Sequence, residues 1–215
     1  VAVPGGVNRT LDAKQRDYLR THPVTNERVA DIANRVHQLP YRPVVSSLDF
    51  HLVRAKLHTM QKAPQQSMAY FNDALGPHKF GIPDAHRYGL GTALLQDRQL
   101  ERAVKEFAPL RKYVQVNAMI TTLAGQLRRA GAIKDKDTVG FYRTATLNFP
   151  QHRALIYDYS EVLLEKKRFN ETVTLLNRQV ALYPNDPHLY ELQARIYAAL
   201  GRNHEEHHAL AYVYI

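Results

Sequence analysis

Large apolar residues recur along the chain with a period of about 35 residues, and each lies in a stretch with the apolar spacing of an amphipathic helix. The residues that mark this period are Phe71, Phe107, Tyr142, Leu176 and Leu210. A period of this length is typical of stacked helix pairs, because one pair cannot bury its own apolar face and must pack on a neighbour. The pattern therefore predicts an all-α solenoid.

Helix pairs are predicted from residue 46 to residue 215, with proline or glycine at many of the turns. Their predicted bounds are 47–61 with 65–75, 84–96 with 100–113, 116–130 with 136–148, 152–166 with 170–183, and 187–200 with 203–214. Pro64 can open a helix, since the first helical turn needs no N–H donor at that position. Gly131 and Gly201 are predicted to separate the two helices of their pairs.

Residues 1–45 lack this period and are predicted to form a separate segment of loop and helix. A short helix is predicted for 11–19, and Thr21-His22-Pro23 then interrupts it, because proline cannot continue a helix. A second helix is predicted for 25–38, in which Val29, Ile32, Ala33 and Val36 share one face. Pro40 and Pro43 follow it and indicate the boundary with the array.

The spacing within the pairs resembles the tetratricopeptide repeat over residues 47–215. In the second pair, Leu90-Gly91, Ala103 and Phe107 fall where that repeat has Leu-Gly, Ala and Phe. The resemblance implies a right-handed α-solenoid in which small residues let two helices approach closely. The column that contains Gly91 is Ala55, Gly91, Gln126, Ser160 and Ala194.

Such arrays bind extended peptides or partner helices in a concave groove lined by the first helix of each pair. Alignment of the units places in this groove Leu52, Lys56, Tyr88, Thr92, Leu123, Tyr157, Glu161 and Arg195. Tyr88 and Tyr157 are candidate anchors, since an aromatic ring with a polar tip makes a rigid contact. The alternative, that these two rings pack between adjacent pairs, remains open.

Composition narrows the kinds of chemistry expected of this chain. The 215 residues include no cysteine, which excludes disulfides, thiolate metal sites and a thiol nucleophile. Lys and Arg number 29 against 20 Asp and Glu, a net charge of +9. The short basic clusters lie at predicted helix ends, where cations interact favourably with the helix dipole, so we expect no nucleic-acid partner.

No apolar run is long enough to cross a bilayer, so we expect no membrane span.

His204-Glu205-Glu206-His207-His208 contains the H-E-x-x-H spacing of zinc peptidases, in which two histidines bind zinc and the glutamate activates water. This segment coincides with the predicted start of the last helix, where exposed polar residues are ordinary. No third ligand of the usual kind is expected in the few residues that follow. We therefore interpret it as repeat surface and expect no metal site there.

The segment from Tyr18 to Arg35 resembles the end of the catalytic domain in BepA-like zinc metallopeptidases, relatives of HtpX that carry a C-terminal tetratricopeptide array. The positions that carry the resemblance are Thr21, His22, Pro23, Arg28, Val29 and Ala30. The resemblance implies that the zinc site of the parent protein lies before Val1, and the first residue, which is not Met, agrees with a piece of a longer product. In relatives the histidine that matches His22 lies near the zinc; the alternative is a residue of a helix-breaking turn.

The resemblance implies a periplasmic protein whose repeats recruit outer-membrane proteins and their assembly machinery to a zinc protease. In that interpretation the chain itself has no catalytic centre and no cofactor, and zinc belongs to the missing catalytic domain. The alternative from another class is a free-standing tetratricopeptide adaptor that binds a partner peptide with no protease attached.

Overall fold

The computed structural model describes residues 25–38, 46–76, 81–134 and 137–214. These residues form eleven α-helices and one 3₁₀ segment, and no strand occurs among them. The chain divides into two compact units, residues 1–45 and 46–215. The predicted all-α fold is confirmed, whereas the right-handed sense of the array stays a prediction.

In the first unit, helix α1 comprises Thr25–Gln38, the bounds that the sequence predicts. Val29, Ile32 and Val36 are exposed and form an apolar stripe along this helix. The helix predicted for 11–19 and the candidate residue His22 lie outside the described residues.

The second unit is a series of helix pairs in which each helix packs on its partner or on a helix of the next pair. The pairs are α2 (Leu48–Gln61) with α3 (Pro64–Leu75), α4 (Pro83–Gln96) with α5 (Leu100–Phe107), α6 (Ala118–Arg129) with α7 (Thr138–Asn148), α8 (Arg153–Glu165) with α9 (Phe169–Leu182), and α10 (Pro187–Ala199) with α11 (Asn203–Val213). The predicted bounds differ from these by a few residues at most, apart from the end of α5.

Local signals explain where these helices begin and end. Pro64, Pro83 and Pro187 stand in the first turn of α3, α4 and α10, where a missing N–H costs no hydrogen bond. Gly131 and Gly201 follow the C-caps of α6 and α10 with φ of 75° and 67°. This left-handed backbone is the one that glycine adopts without strain, and it turns the chain back towards the second helix of each pair.

The helix predicted for 100–113 is wrong in its second half. Helix α5 ends at Phe107, and the chain continues as a 3₁₀ segment, Ala108–Tyr113. The cause is Pro109, which lacks an N–H and whose ring would collide with the carbonyl of Lys105 in a continuous α-helix. The tighter 3₁₀ segment keeps Leu110 buried despite this break.

The periodic apolar residues lie in the core. Phe71, Phe107, Tyr142 and Leu176 are each at most 1% exposed. Leu210, the last in the series, is partly buried and packs on a small cluster between α10 and α11. Burial of the same position in successive pairs is what stacking requires, since each pair covers the apolar face of its neighbour.

The closest helix approaches do not occur at Gly91. A Cβ added at Gly91 would lie 3.6 Å from Leu123 Cδ2, an ordinary contact distance. A Cβ at Gly89 would lie 2.3 Å from Phe71 Cζ, and one at Gly125 would lie 2.6 Å from Tyr142 Cζ. The two glycines that the steric argument overlooked therefore accommodate the large rings of the periodic column.

Candidate protein-binding face

The first helices of the pairs contact one another in series, α2 with α4, α4 with α6, α6 with α8, and α8 with α10. Several of them contribute charged and amide side chains that interact from one helix to the next. We call this set the first-helix face: Lys56, Gln126, Arg129, Asp158, Glu161, Glu165 and Arg195. Three of its residues, Lys56, Glu161 and Arg195, belong to the set that the repeat resemblance assigns to partner binding.

Two arginines and two glutamates form an ion-pair ladder across α6, α8 and α10. Arg129 Nε and Nη2 lie 2.8 and 2.6 Å from Glu165 Oε1, and Nη2 lies 3.3 Å from Glu161 Oε2. Arg195 pairs with both oxygens of Glu161, with Nη2 3.2 Å from Oε2. Burial tends to raise the pKa of Glu161, but the hydrogen bond from Arg195 and the charges of both arginines outweigh it and hold this pKa below its ordinary value.

Asp158 lies beside this ladder in a different environment. Gln126 Nε2 donates a 3.0 Å hydrogen bond to Asp158 Oδ2. Burial raises the pKa of Asp158 to about 6, although the Gln126 hydrogen bond and the charges of Arg129 and Lys56 act in the opposite direction. The carboxyl group therefore changes its charge close to neutral pH.

Tyr157 connects the last two pairs. Its hydroxyl donates to Asp186 Oδ2, and Arg153 Nη1 lies 3.1 Å from the same oxygen. Its ring meets the His188 ring edge to face, with centroids 4.6 Å apart. Because Asp186 also caps α10 through the His188 amide, Tyr157 has a packing role as well as a partly accessible ring.

Four of the predicted groove residues are buried. Leu52, Tyr88, Thr92 and Leu123 are at most 4% exposed. Tyr88 and Thr92 lie on α4, which α2, α3, α5 and α6 all cover, and Leu52 and Leu123 belong to the same core cluster as Tyr88. These four side chains therefore form core and offer no surface to a partner, which for Tyr88 is the alternative that the sequence left open.

The other four predicted residues remain accessible to different degrees. Arg195 is exposed, whereas Lys56, Tyr157 and Glu161 are partly buried. The structure brings Glu161 and Arg195 into direct contact and places Lys56 close enough to Asp158 to affect its pKa.

The sequence analysis missed Gln126, Arg129, Asp158 and Glu165. A signal for them exists, because the interacting partners lie about one period apart along the chain. The separations are 32 residues for Gln126 and Asp158, 36 for Arg129 and Glu165, and 34 for Glu161 and Arg195. Hydrogen-bonding or oppositely charged side chains at the repeat spacing are thus typical of residues that contact each other between neighbouring pairs.

The H-E-x-x-H segment lies in the first turns of α11, as the repeat pattern predicts. Glu205 accepts hydrogen bonds of 2.9 and 2.6 Å from Arg202, and the His208 ring contacts Tyr212 with centroids 5.2 Å apart. His204 and His208 are both exposed. Over the described part of the chain, no group of three or more histidine, aspartate or glutamate side chains is arranged to hold a metal ion.

Among the described residues, no helix combines the length and the apolar character that a bilayer crossing requires.

Comparison with known proteins supplies the remaining evidence. No protein-family model matches the chain. The chain is 24% identical over 211 residues to a beta-barrel assembly-enhancing protease of Yersinia pestis. It is 25% identical over 213 residues to a protein of the same name from Escherichia coli K12. Each match covers 95% of this chain and 43% of the relative. A putative protein of the same name from Vibrio cholerae is 24% identical over 196 residues, 90% of this chain and 40% of the relative. The chain thus spans about two fifths of the length of these relatives. The predicted resemblance to BepA-like proteins is confirmed, and it extends over nearly the whole of this chain.

Proposed function

We propose that this chain is the repeat region of a BepA-like zinc metallopeptidase, together with the tail of its catalytic domain, and that it recruits polypeptides for the protease. The observation that carries the proposal is the similarity to beta-barrel assembly-enhancing proteases along 95% of the chain, most of which forms helix pairs. By the name of these relatives, the polypeptides would be β-barrel proteins or components of their assembly machinery. As the family resemblance implies, we take these to be outer-membrane proteins that the chain meets in the periplasm.

The first-helix face supports binding rather than chemistry. Its carboxylates and cations are balanced in number and are largely paired with one another. A partner would therefore exchange contacts within this network and would gain affinity from a matching pattern of charges more than from a large net attraction. Two cations of this face come from the first and the last pair: Lys56, which is partly buried, and Arg195, which is exposed. We propose that both contact the partner.

Binding to an unfolded outer-membrane β-barrel polypeptide, diluted from denaturant and fluorescently labelled, tests the proposal. We expect saturable binding that weakens about tenfold when Lys56 and Arg195 are both replaced by alanine. The matched control is Lys62→Ala with Lys166→Ala, which removes the same charge from exposed positions outside the face and should change the affinity less than about twofold. No binding, or equal weakening in the two double variants, would count against recruitment through this face.

Zinc and proteolysis test the assignment of the chemistry to another part of the parent protein. We expect the purified chain to bind no stoichiometric zinc and to cleave no unfolded protein. Zinc-dependent cleavage that disappears in His204→Ala would overturn this assignment.

The coding sequence upstream of Val1 tests the attachment itself. A segment with H-E-x-x-H on a helix supports the protease, whereas a start codon a few residues upstream would support the free-standing adaptor.

A further inference from the structure

A cavity of about 650 Å³ lies where the 3₁₀ segment meets the end of α6, and it is lined by none of the residues of the first-helix face. Its lining includes the cations Arg111, Lys112, Arg128 and Lys134. None of the described residues that line it is acidic. We call it the basic cavity.

Two of these cations are available to a ligand. Arg111 and Lys134 are exposed, and neither has an ion-pair partner among the described residues. The other two are engaged within the protein: Lys112 Nζ lies 3.5 Å from Asp84 Oδ2, and the Arg128 guanidinium stands 4.1 Å from the centroid of the Phe141 ring. Among the described residues of the lining, positive charge is therefore in excess and is centred on Arg111 and Lys134.

The cavity also has an apolar wall. Val114 and Ile133, which are partly buried, line it together with Phe107, which is buried. An alkyl or aromatic group that enters the cavity can thus bury its surface next to the two free cations. A ligand made only of phosphate or sulfate groups would leave this wall unused.

Backbone hydrogen bonds hold both sides of the cavity in place. After Gly131 the Ala132 and Ile133 amides donate to the Leu127 carbonyl at 2.9 and 3.3 Å, which fixes the backbone of Ile133 next to the last turn of α6. On the other side the Val116 amide donates to the Tyr113 carbonyl at 3.0 Å. Such a preformed site loses little conformational entropy when a ligand binds.

We infer that the basic cavity is a second binding site, specific for an acidic polypeptide segment in which carboxylate side chains alternate with apolar ones. Arg111 and Lys134 receive the carboxylates through charge-assisted hydrogen bonds, while the apolar side chain between them packs on the accessible parts of Val114 and Ile133. The inference does not depend on the first-helix face, since the two sites share no residue.

Fluorescence anisotropy with a labelled six-residue peptide that alternates glutamate and leucine tests this site directly. At about 0.15 M salt, charges more than about 8 Å apart are largely screened, so the measurement reports local contacts. We expect Arg111→Ala with Lys134→Ala to weaken binding about tenfold, and a peptide with glutamine in place of glutamate to bind the unsubstituted chain about tenfold less tightly. The matched control, Lys62→Ala with Lys166→Ala, removes two charges elsewhere and should change the affinity less than about twofold.

Three results would overturn the inference. The first is the absence of saturable binding of the glutamate–leucine peptide, and the second is equal weakening by the two double variants, which indicates attraction by net charge alone. The third is tighter binding of a single-stranded oligonucleotide that is lost in Arg111→Ala with Lys134→Ala, which assigns the cavity to nucleic acid. All four substituted positions are exposed, and circular dichroism verifies that each variant keeps its helix content.

Discussion

At the scale of single residues, two glycines of α4 occupy different surroundings although only one residue separates them. Gly89 faces the ring of Phe71, and a Cβ there would lie 2.3 Å from Cζ. Gly91 faces Leu123, and a Cβ there would lie 3.6 Å from Cδ2. The first position has no room for a methyl group unless a buried ring moves, whereas the second accepts one at normal contact distance.

We therefore predict opposite effects of alanine at the two positions. Gly89→Ala should lower the free energy of unfolding by about 2 kcal/mol, because overpacking forces the Phe71 ring out of its place. Gly91→Ala should leave the free energy of unfolding unchanged or raise it by up to about 1 kcal/mol, because alanine favours the helical backbone. Urea unfolding followed by circular dichroism measures both variants, and a loss of stability in Gly91→Ala as large as that in Gly89→Ala would contradict the prediction.

Asp158 predicts a pH dependence at the same scale. Its pKa in the folded chain is about 6, above the ordinary 3.8, so folding favours the protonated form. Its effect on stability is therefore small below about pH 4, grows unfavourable as the pH rises from about 4 to about 6, and levels off above that at no more than about 3 kcal/mol, at 1.36 kcal/mol for each unit of pKa.

Asp158→Asn isolates this effect, since the amide oxygen still accepts the hydrogen bond from Gln126 and the ionisation is removed. We expect the variant to unfold at higher urea than the unsubstituted chain at about pH 7.5 and at the same urea at about pH 4. The comparison requires urea titrations across this range. A difference between the two chains that does not change with pH would assign it to packing instead.

At the scale of elements, most helix bounds could be predicted because the signals that set them are local. Pro64 and Pro187 open helices, and Gly131 and Gly201 follow the ends of others, whatever packs around them. The end of α5 was misjudged because the apolar spacing continues through Pro109 as far as Tyr113. The apolar spacing thus correctly predicted which side chains are buried. The backbone of Pro109 determined that the second half of the segment is a 3₁₀ helix.

Asp186 joins two elements through one carboxylate and is only 5% exposed. It caps α10 by accepting the His188 amide at 3.2 Å, and it also accepts from Tyr157 and Arg153 of α8. Burial by itself would raise its pKa, but these hydrogen bonds hold the pKa below its ordinary value. The charged form is therefore the one that stabilises the contact between the two pairs.

We predict that Asp186→Ala lowers the free energy of unfolding by about 3 kcal/mol at neutral pH, because it removes the cap and leaves the Tyr157 hydroxyl without this acceptor. Ser47→Ala, which removes a cap that bonds only the Phe50 amide, is the control and should cost about 1 kcal/mol. A carboxylate with a lowered pKa stabilises the fold above its unfolded pKa and loses this effect in acid. The loss of unfolding free energy caused by Asp186→Ala should therefore become smaller as the pH falls below 3.8, the ordinary pKa of aspartate. Equal losses in Asp186→Ala and Ser47→Ala at neutral pH would refute the role of Asp186 as a bridge between α8 and α10.

At the scale of the whole molecule, the principal helix contacts join each pair only to itself and to the next one. Stability in such an array is close to a sum of pair and interface terms. A core cluster between the fourth and fifth pairs contains Ile156, Leu176, Leu189, Leu192 and Ile196. Loss of the fifth pair should therefore damage this cluster and leave the earlier ones in place.

Truncation after Tyr183 tests this additivity. We predict that the shortened chain keeps its helix content per residue but unfolds at lower urea and with a smaller m-value, because Ile156 and Leu176 lose their partners and less surface is exposed on unfolding. Circular dichroism and urea titration measure both quantities. Global unfolding of the shortened chain would show that the pairs depend on one another far beyond their neighbours.

The sequence by itself determined the succession of helix pairs and the buried column of Phe71, Phe107, Tyr142 and Leu176, because period, caps and apolar spacing are properties of local segments. The tertiary structure alone decided which first-helix residues face outward. Alignment assigns Tyr88 and Tyr157 to the same surface, yet Tyr88 is buried because four helices cover α4, while Tyr157 keeps a partly exposed ring. The basic cavity could likewise not be found from the sequence, since Arg111 and Lys134 are separated along the chain and line one cavity only because the end of α6 lies beside the 3₁₀ segment.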